Sequence, residues 1–212
     1  MALTEHFIET SLGRTRYLEG GRGEPLFMLH GMGLSNSANT FDPMFAHLTP
    51  HVRVIAPDLL GFGKGTRSVE AGPTFDLMLE HLRELMDSLD IERAAFAGHS
   101  MGGWTAAHLA YQSPNRVAKL AMLNAAGLNV QIAAGIGGMS SVPSVEALAK
   151  RVRGDFRDPT KATDALVNQI ATTQHAMLSE PNALASLNPL LHIMQTPTLR
   201  ARTMLHRRLP RL

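Results

Sequence analysis

One serine in this chain of 212 residues stands in a setting that suits covalent chemistry. Ser100 lies within the stretch Phe96-Ala97-Gly98-His99-Ser100-Met101-Gly102-Gly103-Trp104. The short run Arg93 to Ala97 predicts a buried strand and the residues from Gly102 onward predict a helix, so Ser100 falls on the turn between them. Gly98 and Gly102 lack a Cβ, which lets strand and helix pass close together. A serine on such a turn is exposed at the rim of a sheet and can act as a nucleophile.

Two histidines and a glycine loop lie near this turn or on a neighbouring strand. The continuous apolar run Pro25 to Leu29 predicts a strand buried on both faces, and it ends in His30-Gly31-Met32-Gly33. His30 is interpreted as a hydrogen-bonded structural residue ahead of that loop. The side chain of His99 leaves its turn in a different direction from Ser100, so we expect a packed residue rather than a base.

Two other patterns imitate known sites without completing them. The run Gly61-Phe-Gly63-Lys64-Gly65 after Asp58 looks like a phosphate loop, but the residues around Lys64 do not fit that motif, and a turn is the better interpretation. His47 and His51 are four residues apart, as metal ligands on a helix would be, yet Pro50 separates them and no third ligand is evident. We expect neither a metal nor a cofactor.

The elements around Ser100 alternate between strands and helices. A hairpin is predicted at residues 7–10 and 15–18, and buried strands follow at 25–29, 52–56, 93–97 and 118–123. Helices are predicted at 37–48, at 77–89 and from Gly102 to about Gln112. This order with short connections implies an α/β fold, a mostly parallel sheet with helices on both faces.

The character of the chain changes after residue 128. Residues 129–142 are rich in Gly, Ala and Ser, and helices are predicted at 144–153, 160–178 and 181–194. We expect three parts: a core at 1–128, a helical cap or lid at 129–194, and residues 195–212, where a further core strand begins and runs into a basic tail. The glycines at 135, 137 and 138 should make the cap mobile.

Composition limits where the protein works and what it binds. With 44% hydrophobic and 18% charged residues, the chain should fold around one large core. The absence of cysteine fits a reducing compartment, and the N-terminus has no secretion signal, so we expect a cytoplasmic protein without a membrane span. The net charge of +2 arises in the tail, which lacks the folded basic face that nucleic-acid binding requires.

Four motifs in family order carry a resemblance to a known superfamily. They are Leu29-His30-Gly31-Met32-Gly33, Asp58-Leu-Leu-Gly61-Phe-Gly63, Gly98-His-Ser100-Met-Gly102-Gly103 and Leu123-Asn124-Ala-Ala-Gly127-Leu128. Together they resemble the α/β-hydrolase superfamily, in particular its serine esterases and lipases with a helical cap. The resemblance covers roughly residues 5 to 199.

The resemblance implies an activity and a set of site residues. Ser100 would be the nucleophile, the backbone N–H groups of Met32 and Met101 would form the oxyanion hole, and His30, Gly31 and His99 would border the pocket. The implied reaction is hydrolysis of a small or medium hydrophobic ester through an acyl-serine intermediate, without a cofactor. A serine at position 100 argues against the carboxylate-nucleophile enzymes of this fold. Amide, lactone or carbon–carbon hydrolysis and cofactor-free perhydrolysis stay open.

The end of the chain departs from the family pattern. Thr196-Pro197-Thr198-Leu199 matches the start of a family strand, but an arginine-rich tail follows it. The composition of the tail suggests out-of-frame translation. The positions that hold the acid and the histidine in the family are not reached. His206 is the best-placed substitute base, with His175 and His192 as further candidates. The alternative to an esterase is therefore a truncated, non-catalytic pseudo-hydrolase that keeps the pocket. An uncovered strand at residues 198–203 would also leave a sheet edge through which two copies could form a homodimer.

Overall fold

The apolar runs of the sequence form the strands of one sheet. The structure is a computed structural model that describes residues 3–32, 36–66, 74–128 and 141–205. Six strands lie in this part of the chain: β1 Thr4–Thr10, β2 Gly13–Gly20, β3 Pro25–Leu29, β4 Arg53–Pro57, β5 Ala94–His99 and β6 Val117–Leu123. The predicted hairpin and the four later predicted strands are thus confirmed, with longer hairpin strands than expected.

The strand order places the ends of β3 and β5 side by side. The order across the sheet is β1-β2-β4-β3-β5-β6. Strands β4, β3, β5 and β6 are parallel, whereas β1 and β2 are antiparallel to their neighbours. After β3 the chain adds β4 on one side and β5 on the other, which makes the carboxyl ends of β3 and β5 the switch point of the sheet. Open α/β sheets bind ligands at such a point.

Two apolar layers cover the central strands. Alternate residues of β3 and β4 belong to different layers: Phe27 and Ile55 pack into one, and Met28 and Val54 into the other. The first layer contains the buried faces of α2 (Phe75–Ser88) and α3 (Met101–Gln112), and the second contains Phe45 of α1 (Asp42–Leu48). Because successive strand residues point to opposite faces, this division confirms a sheet with helices on both sides.

Local sequence sets the ends of these helices. The Thr74 hydroxyl accepts a hydrogen bond from the Leu77 N–H and caps α2. The helix predicted over 37–48 is split, with a 3-10 turn at Ala38–Phe41 before α1, and Ser37 caps that turn.

The strand β6 differs from its prediction as a buried strand. It pairs with β5 and, among the described residues, with no other strand, so it forms an edge of the sheet. Most of its side chains are half-buried or exposed, including Leu123 at 38% exposure. The exposed sheet edge expected at residues 198–203 is therefore found at β6.

In the described residues that follow the sheet, four α-helices are present: α4 Val145–Asp155, α5 Asp164–Ser179, α6 Asn188–Gln195 and α7 Pro197–Thr203. Helices α4 and α5 pack together around two small clusters apart from the core, one centred on Leu148 and Leu178 and the other on Val152 and Val167. Leu190 and Met194 of α6 join the main core instead. The division of the chain at residues 128 and 194 stays a prediction.

The strand predicted from Thr196 is wrong, because Pro197–Thr203 forms α7. Pro197 at the first turn and the helix-forming residues Leu199 to Arg202 favour a helix. The helix also lets the Arg200 guanidinium donate to the Met194 carbonyl at the end of α6, 3.1 Å away. The helix predicted at 181–194 begins only at Asn188.

In the part of the chain that the structure describes, no helix has both the length and the apolar character needed to cross a bilayer.

Candidate active site

Ser100 occupies a strained turn between β5 and α3. Its backbone angles are φ 52° and ψ −115°, and a non-glycine residue at positive φ costs about 1–3 kcal/mol. Three backbone hydrogen bonds hold it: the Ser100 N–H donates to the Leu123 carbonyl at 3.0 Å, and the Ser100 carbonyl accepts from Trp104 and Ala126 at 3.1 and 3.0 Å. The predicted turn is confirmed, and its surroundings fix the position of the serine.

Glycines allow the elements around Ser100 to approach this closely. A Cβ added to Gly98 would lie 2.4 Å from the carbonyl carbon of Gly102, and one added to Gly102 would lie 2.1 Å from the Leu29 oxygen. Both distances are far below van der Waals contact with backbone atoms, which cannot move aside. The steric reason for Gly-x-Ser-x-Gly therefore holds in this fold.

The loop after β3 lies directly against Ser100. A Cβ added to Gly31 would be 3.1 Å from the Cβ of Ser100 and 3.1 Å from Nδ1 of His99. Met32 is the next residue and is half-buried, while Met101 is buried at the first position of α3, where helical N–H groups have no intrahelical acceptor. The structure thus brings together all the residues predicted for the nucleophile, the oxyanion hole and the pocket border. The roles of these residues as nucleophile, oxyanion hole and pocket border stay predictions.

The two neighbouring histidines differ in their surroundings. His30 is fully buried, accepts a hydrogen bond at Nε2 from the Leu59 N–H at 3.0 Å, and bonds through Nδ1 to the Gly31 carbonyl at 2.8 Å. Burial lowers the pKa of His30, so the ring is neutral and fixes the loop, as expected of a structural residue. His99 is half-buried, and its Nδ1 has no hydrogen-bond partner among the described residues.

No sequence motif predicted the ionic cluster that surrounds Asp58. The buried Asp58 carboxylate accepts from the Ala38 N–H at 2.6 Å, from the Lys64 N–H at 2.8 Å and from the Arg16 guanidinium at 3.3 Å. A Cβ at Gly63 would lie 2.0 Å from this carboxylate, so the glycine is required. Asp58 therefore ties together the loops at 36–42 and 61–65, which confirms a turn in place of a phosphate loop.

The candidate bases do not meet Ser100 in the described part of the chain. His175 of α5 bonds through Nδ1 to the Pro143 carbonyl at 2.9 Å, and His192 is exposed in the last turn of α6. His206, the preferred candidate, lies outside the described residues, as do Gly33 and the glycines at 135, 137 and 138. Among the described residues the Ser100 side chain forms no hydrogen bond with a histidine.

A large cavity lies between the core loops and α5. Its volume is about 1380 Å³, and it separates the core loops at 36–43 and 63–65 from α5 and residues 180–182. Ser100 is not one of its lining residues, but Asn36 is, and the Asn36 amide nitrogen lies 3.0 Å from the point where a Gly31 Cβ would be. Polar and apolar side chains together form its wall, and apolar surface predominates. Among the described residues no cluster of three or more histidine, aspartate or glutamate side chains could hold a metal ion.

The comparisons with known proteins decide the family. The family described as alpha/beta hydrolase fold matches this sequence over residues 24–174. The chain belongs to the α/β hydrolase fold family. That match includes β3, the Ser100 turn and most of the α4–α5 pair.

Several relatives of this α/β hydrolase are named as hydrolases. The 2-hydroxymuconate semialdehyde hydrolase of Pseudomonas sp. (strain CF600) is 37% identical over 124 residues, which are 58% of this chain and 44% of that protein. The 2-hydroxy-6-oxo-6-(2'-aminophenyl)hexa-2,4-dienoic acid hydrolase of Metapseudomonas resinovorans is 31% identical over 170 residues, 79% of this chain and 58% of that protein. The chain thus spans about half the length of these two relatives.

A solved structure supports the same fold. The meta-cleavage product hydrolase of Pseudomonas fluorescens IP01 (CumD) superposes with a TM-score of 0.71 at 27% identity, covering 84% of this chain and 70% of that one.

Proposed function

We propose that this α/β hydrolase uses Ser100 to attack the carbonyl carbon of a small-molecule substrate. The observation that carries the proposal is the strained Ser100 turn, which presents next to the Gly31 loop a side chain that forms no hydrogen bond with the described residues. The serine oxygen would bond to the carbonyl carbon, and the N–H groups of Met32 and Met101 would stabilise the resulting oxyanion. The leaving group would depart with a proton, and water would release the acid from the acyl-serine.

The bond that breaks is proposed to be a carbon–carbon bond next to a ketone or aldehyde. Two relatives are named for a semialdehyde and a dienoic acid, and polar side chains on the cavity wall, among them Asn36 and Gln169, could bind the oxygens of such compounds. In this reaction the carbon of the leaving group takes up the proton that the Ser100 hydroxyl loses. Hydrolysis of carboxylic esters, the activity implied by the sequence motifs, is the second candidate because its steps up to the acyl-serine are the same.

One experiment tests the nucleophile and separates the two bonds. The full chain is assayed with 2-hydroxymuconate semialdehyde, followed by its loss of absorbance, and with p-nitrophenyl butyrate. We expect turnover of at least the first compound and its loss in Ser100→Ala. Ser179→Ala is the matched control, because that exposed hydroxyl only donates to the His175 carbonyl. Equal rates in Ser100→Ala and the intact chain would refute the proposal, and no turnover of either compound would favour the non-catalytic pseudo-hydrolase.

A further inference from the structure

Asn36 lies close to the Ser100 turn and also belongs to the wall of the large cavity. Its amide nitrogen lies 3.0 Å, and the Ser100 Cβ 3.1 Å, from the point where a Gly31 Cβ would be. The two atoms are therefore no more than about twice that distance apart. Asn36 also lines the cavity, which Ser100 does not. The Asn36 amide is therefore within reach of a molecule that occupies the cavity and extends toward Ser100.

The Asn36 amide has unused hydrogen-bonding capacity. Within the described residues its side chain forms no hydrogen bond, although Asn36 is only half-exposed. The nearby Asn39 is different, because its side chain accepts from Arg16 and donates to both Asp42 carboxylate oxygens. Asn39 therefore stabilises the loop, whereas the Asn36 amide is available to bind a ligand.

We propose that Asn36 selects substrates that carry an oxygen acceptor near the reacting carbonyl. This inference rests on the proposed function of Ser100. With the reacting carbon at Ser100 and the rest of the substrate in the cavity, the amide N–H would meet an oxygen two or three carbons away. A site built to donate a hydrogen bond rejects an analogue without the acceptor, because the donor is then left without its partner.

A pair of esters that differ in one oxygen tests the selection. The compounds are p-nitrophenyl 4-oxopentanoate and p-nitrophenyl pentanoate, assayed with the intact chain, Asn36→Ala and Asn168→Ala. We expect Asn36→Ala to raise KM for the oxo ester about tenfold, the effect of one lost hydrogen bond, and not to raise KM for the plain ester, because the variant has no donor that its binding would leave without a partner. Asn168 is the matched control, since it is exposed on α5 and does not line the cavity.

A binding measurement keeps the test independent of turnover. In the Ser100→Ala background, calorimetry compares 4-oxopentananilide with pentananilide, which the protein cannot hydrolyse. We expect about tenfold tighter binding of the ketone, and loss of that difference when Asn36→Ala or the isosteric Asn36→Asp is added. Equal binding of the two anilides, no binding of either, or equal weakening of both by Asn36→Ala would overturn the role of Asn36. If the ketone preference holds while neither the esters nor 2-hydroxymuconate semialdehyde are turned over, the proposed reaction fails and the binding role of Asn36 stands.

Discussion

At the level of single residues, the free side chain of Ser100 determines how fast an electrophile should label it. The Ser100 turn and the Gly31 loop can support attack of the Ser100 oxygen on the probe, but no histidine is hydrogen-bonded to Ser100 among the described residues. Positioned proton transfer is worth roughly 10²–10⁴ in rate. We expect a fluorophosphonate to label Ser100 that much more slowly than a complete serine esterase, measured by intact mass over time. Labelling as fast as in such an esterase would show that a histidine does reach Ser100.

Two glycines offer a matched test of the strained turn. Gly102→Ala would drive a Cβ into the Leu29 carbonyl, so we expect a loss of several kcal/mol, of the order seen for severe core overpacking. Gly154 lies in α4 with no atom within 4 Å of an added Cβ, and Gly154→Ala should raise stability by about 0.5–1 kcal/mol. Urea unfolding measures both. A tolerated Gly102→Ala would mean that β3 and α3 are not as close as described.

His81 should make the protein sensitive to mild acid. It is buried, its Nε2 is 2.5 Å from the Thr15 hydroxyl, and its Nδ1 has no partner among the described residues. Burial lowers the pKa of His81 to about 4, although Glu84 and Asp58 oppose the shift. The folded state binds this proton less readily than the unfolded state, so stability is full above pH 6.5 and falls as the pH drops toward 4. The loss is about 3 kcal/mol.

The His81→Gln variant isolates that contribution. Glutamine can keep a hydrogen bond to Thr15 but does not titrate, so its stability should vary less between pH 7 and pH 4. The remaining slope includes His30, whose pKa burial also lowers. Urea midpoints across this pH range give the measurement. Parallel pH profiles for the variant and the original chain would contradict the assignment to His81.

At the level of elements, α7 and the two residues after Thr203 anchor the end of the described chain to α3. The Thr203 carbonyl accepts a hydrogen bond from Trp104 Nε1 at 2.7 Å and bonds to His108 Nε2 at 2.6 Å. The Leu205 N–H donates to the Gly127 carbonyl at 2.8 Å, and the Leu205 side chain is fully buried. This segment therefore packs against the helix that begins beside Ser100.

Leu205→Ala tests that anchoring. Removing a fully buried leucine side chain should cost about 2–5 kcal/mol. Leu128→Ala serves as the control, because Leu128 is 42% exposed and its loss should change stability by about 0.5 kcal/mol or less. Urea unfolding of both variants gives the comparison. Equal stabilities would mean that residues 204–205 do not pack into the core.

The sequence predicts elements well where one local pattern dominates. The apolar runs of β3 and β4 and the helical spacing of α2 leave little choice, and the glycines around Ser100 fit a single turn. The sequence prediction is wrong at Pro197–Thr203, where a family motif suggested a strand. Local helix propensity favours α7, and the helix lets Arg200 donate to the Met194 carbonyl at the end of α6. The prediction also fails for β6, since an apolar run does not reveal whether a neighbour covers the strand.

The sequence likewise predicts only some features of the candidate site. Ser100, Gly31 and Met32 lie in contiguous motifs, so their proximity follows from the order of the strands. The Asp58 cluster and the open amide of Asn36 depend on loops that meet across the fold, and a glycine at position 63 with φ 59° is the main sequence signal for the first. No local pattern distinguishes Asn36 from Asn39.

At the scale of the whole molecule, the edge strand β6 governs how copies of the chain should behave together. Among the described residues no second strand pairs with β6, so backbone N–H and C=O groups on its outer side lack a strand partner there, and Lys119 is the only charged residue within the strand. Unprotected edges of this kind pair with other chains. Exposed Leu123 and Leu128 at 38% and 42% add apolar surface at the same end of the strand. We therefore propose that the homodimer expected from the sequence would form through β6.

A second charge on β6 should weaken this association. Ala121 is exposed on the strand, and Ala121→Lys would place another positive charge beside Lys119 in each copy, so that paired edges repel. Light scattering across a dilution series should give a mass above 23.0 kDa that rises with concentration for the original chain, and a mass near 23.0 kDa for the variant. Ala165→Lys, on an exposed position of α5, adds the same charge elsewhere and should leave association unchanged. If the original chain stays at 23.0 kDa at every concentration, β6 does not mediate pairing. If Ala165→Lys dissociates the chains as well, net charge rather than the strand edge controls it.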